Sequence, residues 1–141
     1  MSGFRLSFAV AALAVAGALA FAAACTSSTS SNSCGSGSPP ALTGTYSLVS
    51  YTIGGTTVTG VSGQLQLNAN GTYVANVVLP APTGLQHDSG AYAIQGASCI
   101  SENSALGNPQ FVGTFTLTGT TLTLTGTVAA QAAVFVWSKT A

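Results

Sequence analysis

From Leu42 onward, apolar side chains recur at every second position in short runs separated by glycine-bearing turns. That period suits a strand with one buried face, because alternate side chains of an extended chain point to opposite sides. Tyr46 and Leu48 alternate with Thr45 and Ser47, and Leu65 and Leu67 alternate with Gln64, Gln66 and Asn68. Tyr73, Ala75, Val77 and Leu79 continue the series, followed by Tyr92 and Ile94, then Phe111, Phe115 and Leu117. Leu122 and Leu124 alternate with three threonines, and Phe135 and Trp137 close the pattern. No segment after residue 24 carries helical periodicity with caps.

Turn parity tests these faces, since a loop of the wrong length sends one strand's apolar set to solvent. Leu67 and Tyr73 share a face if Ala69-Asn70-Gly71 is a three-residue loop with Gly71 left-handed. Leu117 and Leu122 share one if Gly119-Thr120 is a two-residue turn. Gly54-Gly55 and Gly126 read as further turns, with Pro80 to Gln86 and Gly96 to Gln110 as long loops. The threonine rows 114/116/118 and 121/123/125 read as cross-strand pairs on the outer face. About one hundred residues of this kind make one domain. Over residues 41–141 the expected fold is all-β: a small antiparallel up-and-down β-barrel of seven to eight strands, with a two-sheet β-sandwich as the alternative.

This pattern resembles the small bacterial lipocalin-like lipoproteins. The residues that carry the resemblance are Leu42-Thr43-Gly44-Thr45-Tyr46-Ser47-Leu48-Val49-Ser50, Leu65-x-Leu67 leading to Asn70-Gly71-Thr72-Tyr73, and Gly90-x-Tyr92. Leu117-x-Gly119-x-x-Leu122-x-Leu124 and Phe135-x-Trp137 extend it to the C-terminus. The resemblance implies a barrel in which Gly44-x-Tyr46 takes the place of the Gly-x-Trp that opens the first strand of lipocalins. It also implies Lys139 as the late basic residue packed over that ring.

The N-terminus carries an address. Arg5 precedes an apolar stretch from Leu6 to Phe21, and small residues lead to Cys25, which is the layout of a secretory signal over residues 1–24. An alanine-dominated run of this length is marginal for spanning a bilayer, so cleavage is expected. The spacing also resembles the lipobox of bacterial lipoproteins, which implies that Cys25 is diacylated and becomes the anchor. Ala22 stands where the box commonly has Leu, and ordinary cleavage at the Ala-x-Ala site is the alternative. Residues 25–40, rich in Ser, Thr and Gly and ending in Pro39-Pro40, read as anchor and tether. In a host with an outer membrane, the absence of Asp after the anchor implies sorting to that membrane.

Export makes a disulfide admissible, and with Cys25 assigned to lipid the remaining cysteines are Cys34 and Cys99. A Cys34–Cys99 bridge is the expectation, and two free or intermolecular thiols are the alternative. Past residue 24 the charged side chains are Asp88, Glu102 and Lys139, which is too little positive charge for phosphate contacts with nucleic acid. The same scarcity argues against an enzyme. His87, Asp88 and Glu102 are the only candidates for acid-base chemistry, and His87-Asp88 reads as a polar turn. No metal, cofactor or nucleophile motif appears.

Two functions remain. The first is a lipid-anchored surface interaction or structural module in the cell envelope, and the alternative is a binding module for a small apolar ligand inside the barrel. The bulk of the inward set predicts an interior filled by its own side chains; a cavity above ~300 Å³ with an open mouth decides for the ligand. In that case Tyr46, Tyr73, Tyr92, Phe115 and Trp137 are the residues expected to face it. For the anchor, intact-mass measurement of the mature protein is expected to find a diacylated N-terminal Cys25, and Cys25→Ser to release the protein or leave it unprocessed.

Overall fold

The computed structural model describes residues 34–140. The expected signal segment, Cys25 and the first part of the expected tether lie outside the described residues. The strands are β1 (Gly44–Ile53), β2 (Thr56–Val58), β3 (Ser62–Leu67), β4 (Thr72–Leu79), β5 (Gly84–Gln95), β6 (Cys99–Ser104), β7 (Phe111–Thr118), β8 (Thr121–Val128) and β9 (Gln131–Lys139). All pairings are antiparallel and follow chain order, and β1 pairs with β9 to close the ring. Eight strands form the barrel. The short β2 pairs with the end of β1 that β3 leaves free. The architecture is therefore the up-and-down barrel of the sequence reading, and the sandwich is set aside.

Both parity arguments hold. Leu67 pairs with Tyr73 across a loop whose Gly71 has φ 79°, and Leu117 pairs with Leu122 across Gly119-Thr120, with Gly119 at φ 59°. The threonine rows are cross-strand partners, Thr114 with Thr125, Thr116 with Thr123 and Thr118 with Thr121. The buried side chains are apolar and the threonine rows point out, while Val49, Val78, Leu85 and Val112 are apolar residues left exposed. Tyr46, Leu65, Leu67, Tyr73, Phe111, Phe115, Leu122, Leu124 and Trp137 are buried together with Ile100 and Leu42.

Three expectations need correction. The loop expected from Pro80 to Gln86 ends at Thr83, where β5 begins, so His87 and Asp88 belong to a strand and not to a turn. The loop expected from Gly96 to Gln110 contains β6, and Cys99 is its first residue. The first half of β5 and the whole of β6 were hidden because their inward positions include Gln86, Asp88, Glu102 and Ser104, which interrupt the apolar alternation that Tyr92 and Ile94 announce in the second half of β5. The expected turn at Gly126 is instead the middle of β8, opposite Gly113. A Cβ on Gly113 would strike the Thr125 carbonyl and approach Gly126 Cα at 2.6 Å, so the two strands come together there as only glycines allow. The turn lies at Ala129-Ala130, both with positive φ (50° and 64°), a conformation that alanine does not advertise in sequence.

The first strand enters as the resemblance implied. Lys139 Nζ lies 5.8 Å from the centre of the Tyr46 ring. At Gly44 (φ 145°) a Cβ would come within 2.6 Å of Lys139 Cε, so the glycine makes room for the cation. The contact contributes ~0.5 to 1 kcal/mol where exposed. The Tyr46 hydroxyl donates to the Leu42 carbonyl at 2.6 Å, which holds Leu42 as a plug over this end of the barrel.

Cys34 and Cys99 are bonded, with Cα atoms 4.8 Å apart, and the bridge spans 65 residues. Backbone bonds from Ala97 and Ser98 to the Cys34 carbonyl (2.7 and 2.9 Å) fix the tether's last residues to the β5–β6 hairpin. On the chain-entropy model such a closure stabilises the fold by ~4 kcal/mol. The Cys34→Ser/Cys99→Ser double variant is expected to lose stability up to that amount, read as a lower urea midpoint; an unchanged midpoint would show that the bridge constrains nothing.

Candidate functional site

Strand direction divides the barrel into two ends. At one end lie Leu42, the β3–β4, β5–β6 and β7–β8 turns and both ends of the described chain; this half is packed. At the other lie the β1–β2, β4–β5, β6–β7 and β8–β9 connections, and between them a cavity of about 320 Å³ opens to solvent. The interior is therefore not filled throughout, which corrects the expectation of a solid core. The physical reason is the inward content of this half: Ala75 and Gly84 are small, and Gln86, Asp88 and Glu102 are polar, so their positions do not close with apolar bulk.

The apolar lining consists of Leu65, Leu124 and Trp137 at depth and Phe111, Phe135, Tyr51, Val77, Leu79 and Val128 nearer the rim. Phe135 is the centre of an aromatic group, stacked on Tyr51 at 4.6 Å, edge-on to Phe111 at 6.0 Å and near-parallel to Trp137 at 6.2 Å. Tyr51 reaches this group through a β-bulge. Leu48 pairs with Trp137 and Ser50 with Val136, which leaves Val49 as the extra residue, 61 % exposed. Without it, Tyr51 would fall on the outer face.

The opposite wall is acidic. Asp88 stands across from Ala75 on β4, and Glu102 stands between Tyr92 on β5 and Phe111 on β7, so both share the inward face. Asp88 accepts from the Tyr73 hydroxyl (2.7 Å), the Ser104 hydroxyl (2.5 Å), Asn108 Nδ2 (3.0 Å) and the Ser89 amide (2.9 Å). Burial pushes its pKa up, but these donors outweigh burial and hold it below the usual value as an anion. Tyr73 is pushed far upward by burial and by its bond to Asp88, so it stays a donor. Glu102 is raised to about 7, first by burial and then by the charge of Asp88. Its Oε1 is buried without a hydrogen-bond partner, and so is Trp137 Nε1.

Of the residues expected to face a ligand, Tyr73 and Trp137 line this cavity. Tyr46, Tyr92 and Phe115 belong to the packed half. The Tyr46 ring is fully buried, and Tyr92 donates to the Asn68 carbonyl at 2.9 Å. The acidic residues were missed as lining, although strand parity carries the signal: Asp88 has the parity of Tyr92, and Glu102 that of Ile100. His87 has the opposite parity, and its ring turns outward to Asn76 at 2.7 Å. Among the described residues no group of three or more His, Cys, Asp or Glu could hold a metal ion.

No protein-family model, curated protein or solved structure matches the chain. Its class is therefore defined by its own geometry, a small closed antiparallel eight-stranded barrel consistent with a lipocalin-like fold.

Glu102 makes stability depend on pH in a stated direction. Its pKa rises from 4.5 to about 7 on folding, so the folded state keeps a proton that the unfolded chain releases. Stability is then full below about pH 4.5 and falls as pH rises through about 7, by an amount on the order of 3 kcal/mol. Asp88 is ionised in both states across this window and does not offset the change. Denaturant titrations at several pH values are expected to follow this fall in the natural chain and to lose it in Glu102→Gln.

Proposed function

We propose that this chain is an exported, lipid-anchored protein of the cell envelope whose barrel is a non-catalytic binding module for a small, largely apolar ligand. The observation that carries the reading is the open cavity of about 320 Å³, walled by aromatic and aliphatic side chains with a few convergent polar groups. That combination, at the low end of the usual size range, is the pattern of a small-molecule site. The aromatic group around Phe135 offers flat apolar surface to a ring or chain, and the two unpartnered polar atoms, Glu102 Oε1 and Trp137 Nε1, offer orientation.

The non-catalytic part of the reading rests on Asp88. Ser89, Ser104 and Asn108 donate to Asp88 Oδ1 and Tyr73 to Oδ2, and these donors hold the carboxyl below its usual pKa, which makes Asp88 a weak base. Glu102 alone does not make an acid-base pair. Export and lipid attachment rest on the signal pattern of residues 1–24 and on Cys25, with the membrane reached through that lipid.

The binding reading is tested with a neutral fluorescent apolar probe, N-phenyl-1-naphthylamine. It is expected to bind the barrel with one-to-one stoichiometry. Ala75→Trp, which fills the cavity from β4, is expected to abolish the signal while far-UV circular dichroism and the melting transition remain those of a folded barrel. Equal binding by the natural chain and by a folded Ala75→Trp variant would place the probe elsewhere and return the protein to the class of surface interaction modules.

A further inference from the structure

Resting on the reading of the barrel as a binding module, we infer that the ligand is a small organic cation: an ammonium group carried on an apolar body, with the ammonium against Glu102 and the body against Phe135 and Trp137. The cavity has two carboxyl groups in its wall, and its one basic lining residue, His87, has the outward strand parity with its ring bonded to Asn76. Lys139, the only Lys or Arg among the described residues, is engaged with Tyr46 in the packed half. A buried carboxylate is normally paired, because an unpaired one forfeits its solvation. Here the partner is missing from the chain itself.

Asp88 and Glu102 divide the work. Asp88 Oδ1 is taken by three donors and Oδ2 by Tyr73, so Asp88 acts chiefly through its field, making the cavity negative. The Glu102 carboxyl lines the cavity and its buried Oε1 has no partner, so this is the carboxyl left to accept an N–H. An anionic ligand meets repulsion from both groups. A neutral ligand leaves the charge of Glu102 unpaired whenever it is ionised. An ammonium satisfies it, and the aromatic rings around Phe135 receive a cation at their faces as well as an apolar body. A bare metal ion fits poorly, since a single free carboxylate lies in a largely apolar wall. Trp137, only 3 % exposed, holds a second unpaired atom. As a donor it cannot serve the ammonium and contacts the ligand's body instead.

The groups that bear on Glu102 are Asp88 and Tyr92 on β5, whereas β7 presents Phe111; Tyr73, Tyr51 and His87, whose ring is turned to Asn76, complete the titratable lining. Tyr73 and Tyr51 are both raised by burial and stay neutral in the working range, as does Tyr92. The pH response of ligand selection therefore belongs to Glu102.

A matched series decides the matter: 4-phenylbutylamine, 4-phenylbutan-1-ol and 4-phenylbutanoate, titrated by calorimetry or by the fluorescence of Trp137, the sole tryptophan. At about pH 8 in low salt the amine is expected to bind at least about ten-fold tighter than the alcohol, as a charge-assisted hydrogen bond warrants, with the acid weakest. At about pH 5, where Glu102 holds its proton, the preference is expected to shrink to within about three-fold. Glu102→Gln is expected to remove the preference, bringing amine and alcohol to within about three-fold of each other at about pH 8. Amine and alcohol binding equally at about pH 8, or a preference surviving in Glu102→Gln, overturns the cation assignment and leaves the binding module standing. Failure of all three ligands together with N-phenyl-1-naphthylamine overturns both. Should Glu102→Gln not fold, the same pH series on a His87→Gln variant makes the decision.

Discussion

The barrel depends on the pairing of its first strand with its last. Seven of the eight ring contacts join neighbours in sequence or, for β1 and β3, strands separated only by the short β2. The eighth, β1 with β9, joins residues 46–53 to residues 133–139 and removes the two edges that an open sheet would expose. It is also the pairing with the largest loop entropy to overcome. The residues that stabilise it are correspondingly concentrated: Tyr46 packs under Lys139, Leu48 meets Trp137, and Tyr51 stacks on Phe135. The disulfide shortens a different long loop, tying the entry segment to β6. Entry and closure are thus each secured by a contact between residues far apart in sequence.

Most of the architecture was legible because it rests on two simple periodicities. Tyr46, Leu65, Tyr73, Phe115 and Leu124 fall on one face by alternation alone, and the loop lengths after Leu67 and Leu117 keep them there. The parts that resisted reading were those in which local chemistry departs from alternation. The first half of β5 offers Gln86 and Asp88 inward, β6 offers Glu102 and Ser104, and Val49 shifts the phase of β1 by one residue. Ala129 and Ala130 adopt a turn that glycine or asparagine would have announced.

These departures are not scattered. Asp88, Glu102 and Tyr51, each hidden by broken or shifted alternation, all line the cavity at the open end of the barrel. A strand that serves only packing can repeat its pattern without interruption. A strand that also presents polar groups to an interior space must give up apolar positions, and the sequence signal weakens there. The site was therefore least visible where it is most developed. Glu102 bears the energetic conflict most directly, as an ionisable group buried in an uncharged shell near a second carboxylate. In a domain of this size, whose buried surface is a modest fraction of the total, an unpaired group of that kind is a substantial liability.

The position of the disulfide has a mechanical consequence. Cys34, Cys99, Leu42 and the last strand's exit at Lys139 all belong to the base of the barrel, while the connections around the open end carry no covalent link to anything outside the ring. Pull applied through the N-terminal segment is delivered to β6 by the sulfur bridge and to β1 by the chain, two staves on different sides of the same rim. The opposite rim, with its residues 80–83, 105–110 and 129–130, bears none of that load directly. Under the proposed reading, mooring and exchange fall at opposite poles, so tension or crowding at the attachment point would change without narrowing the doorway through which a guest would pass.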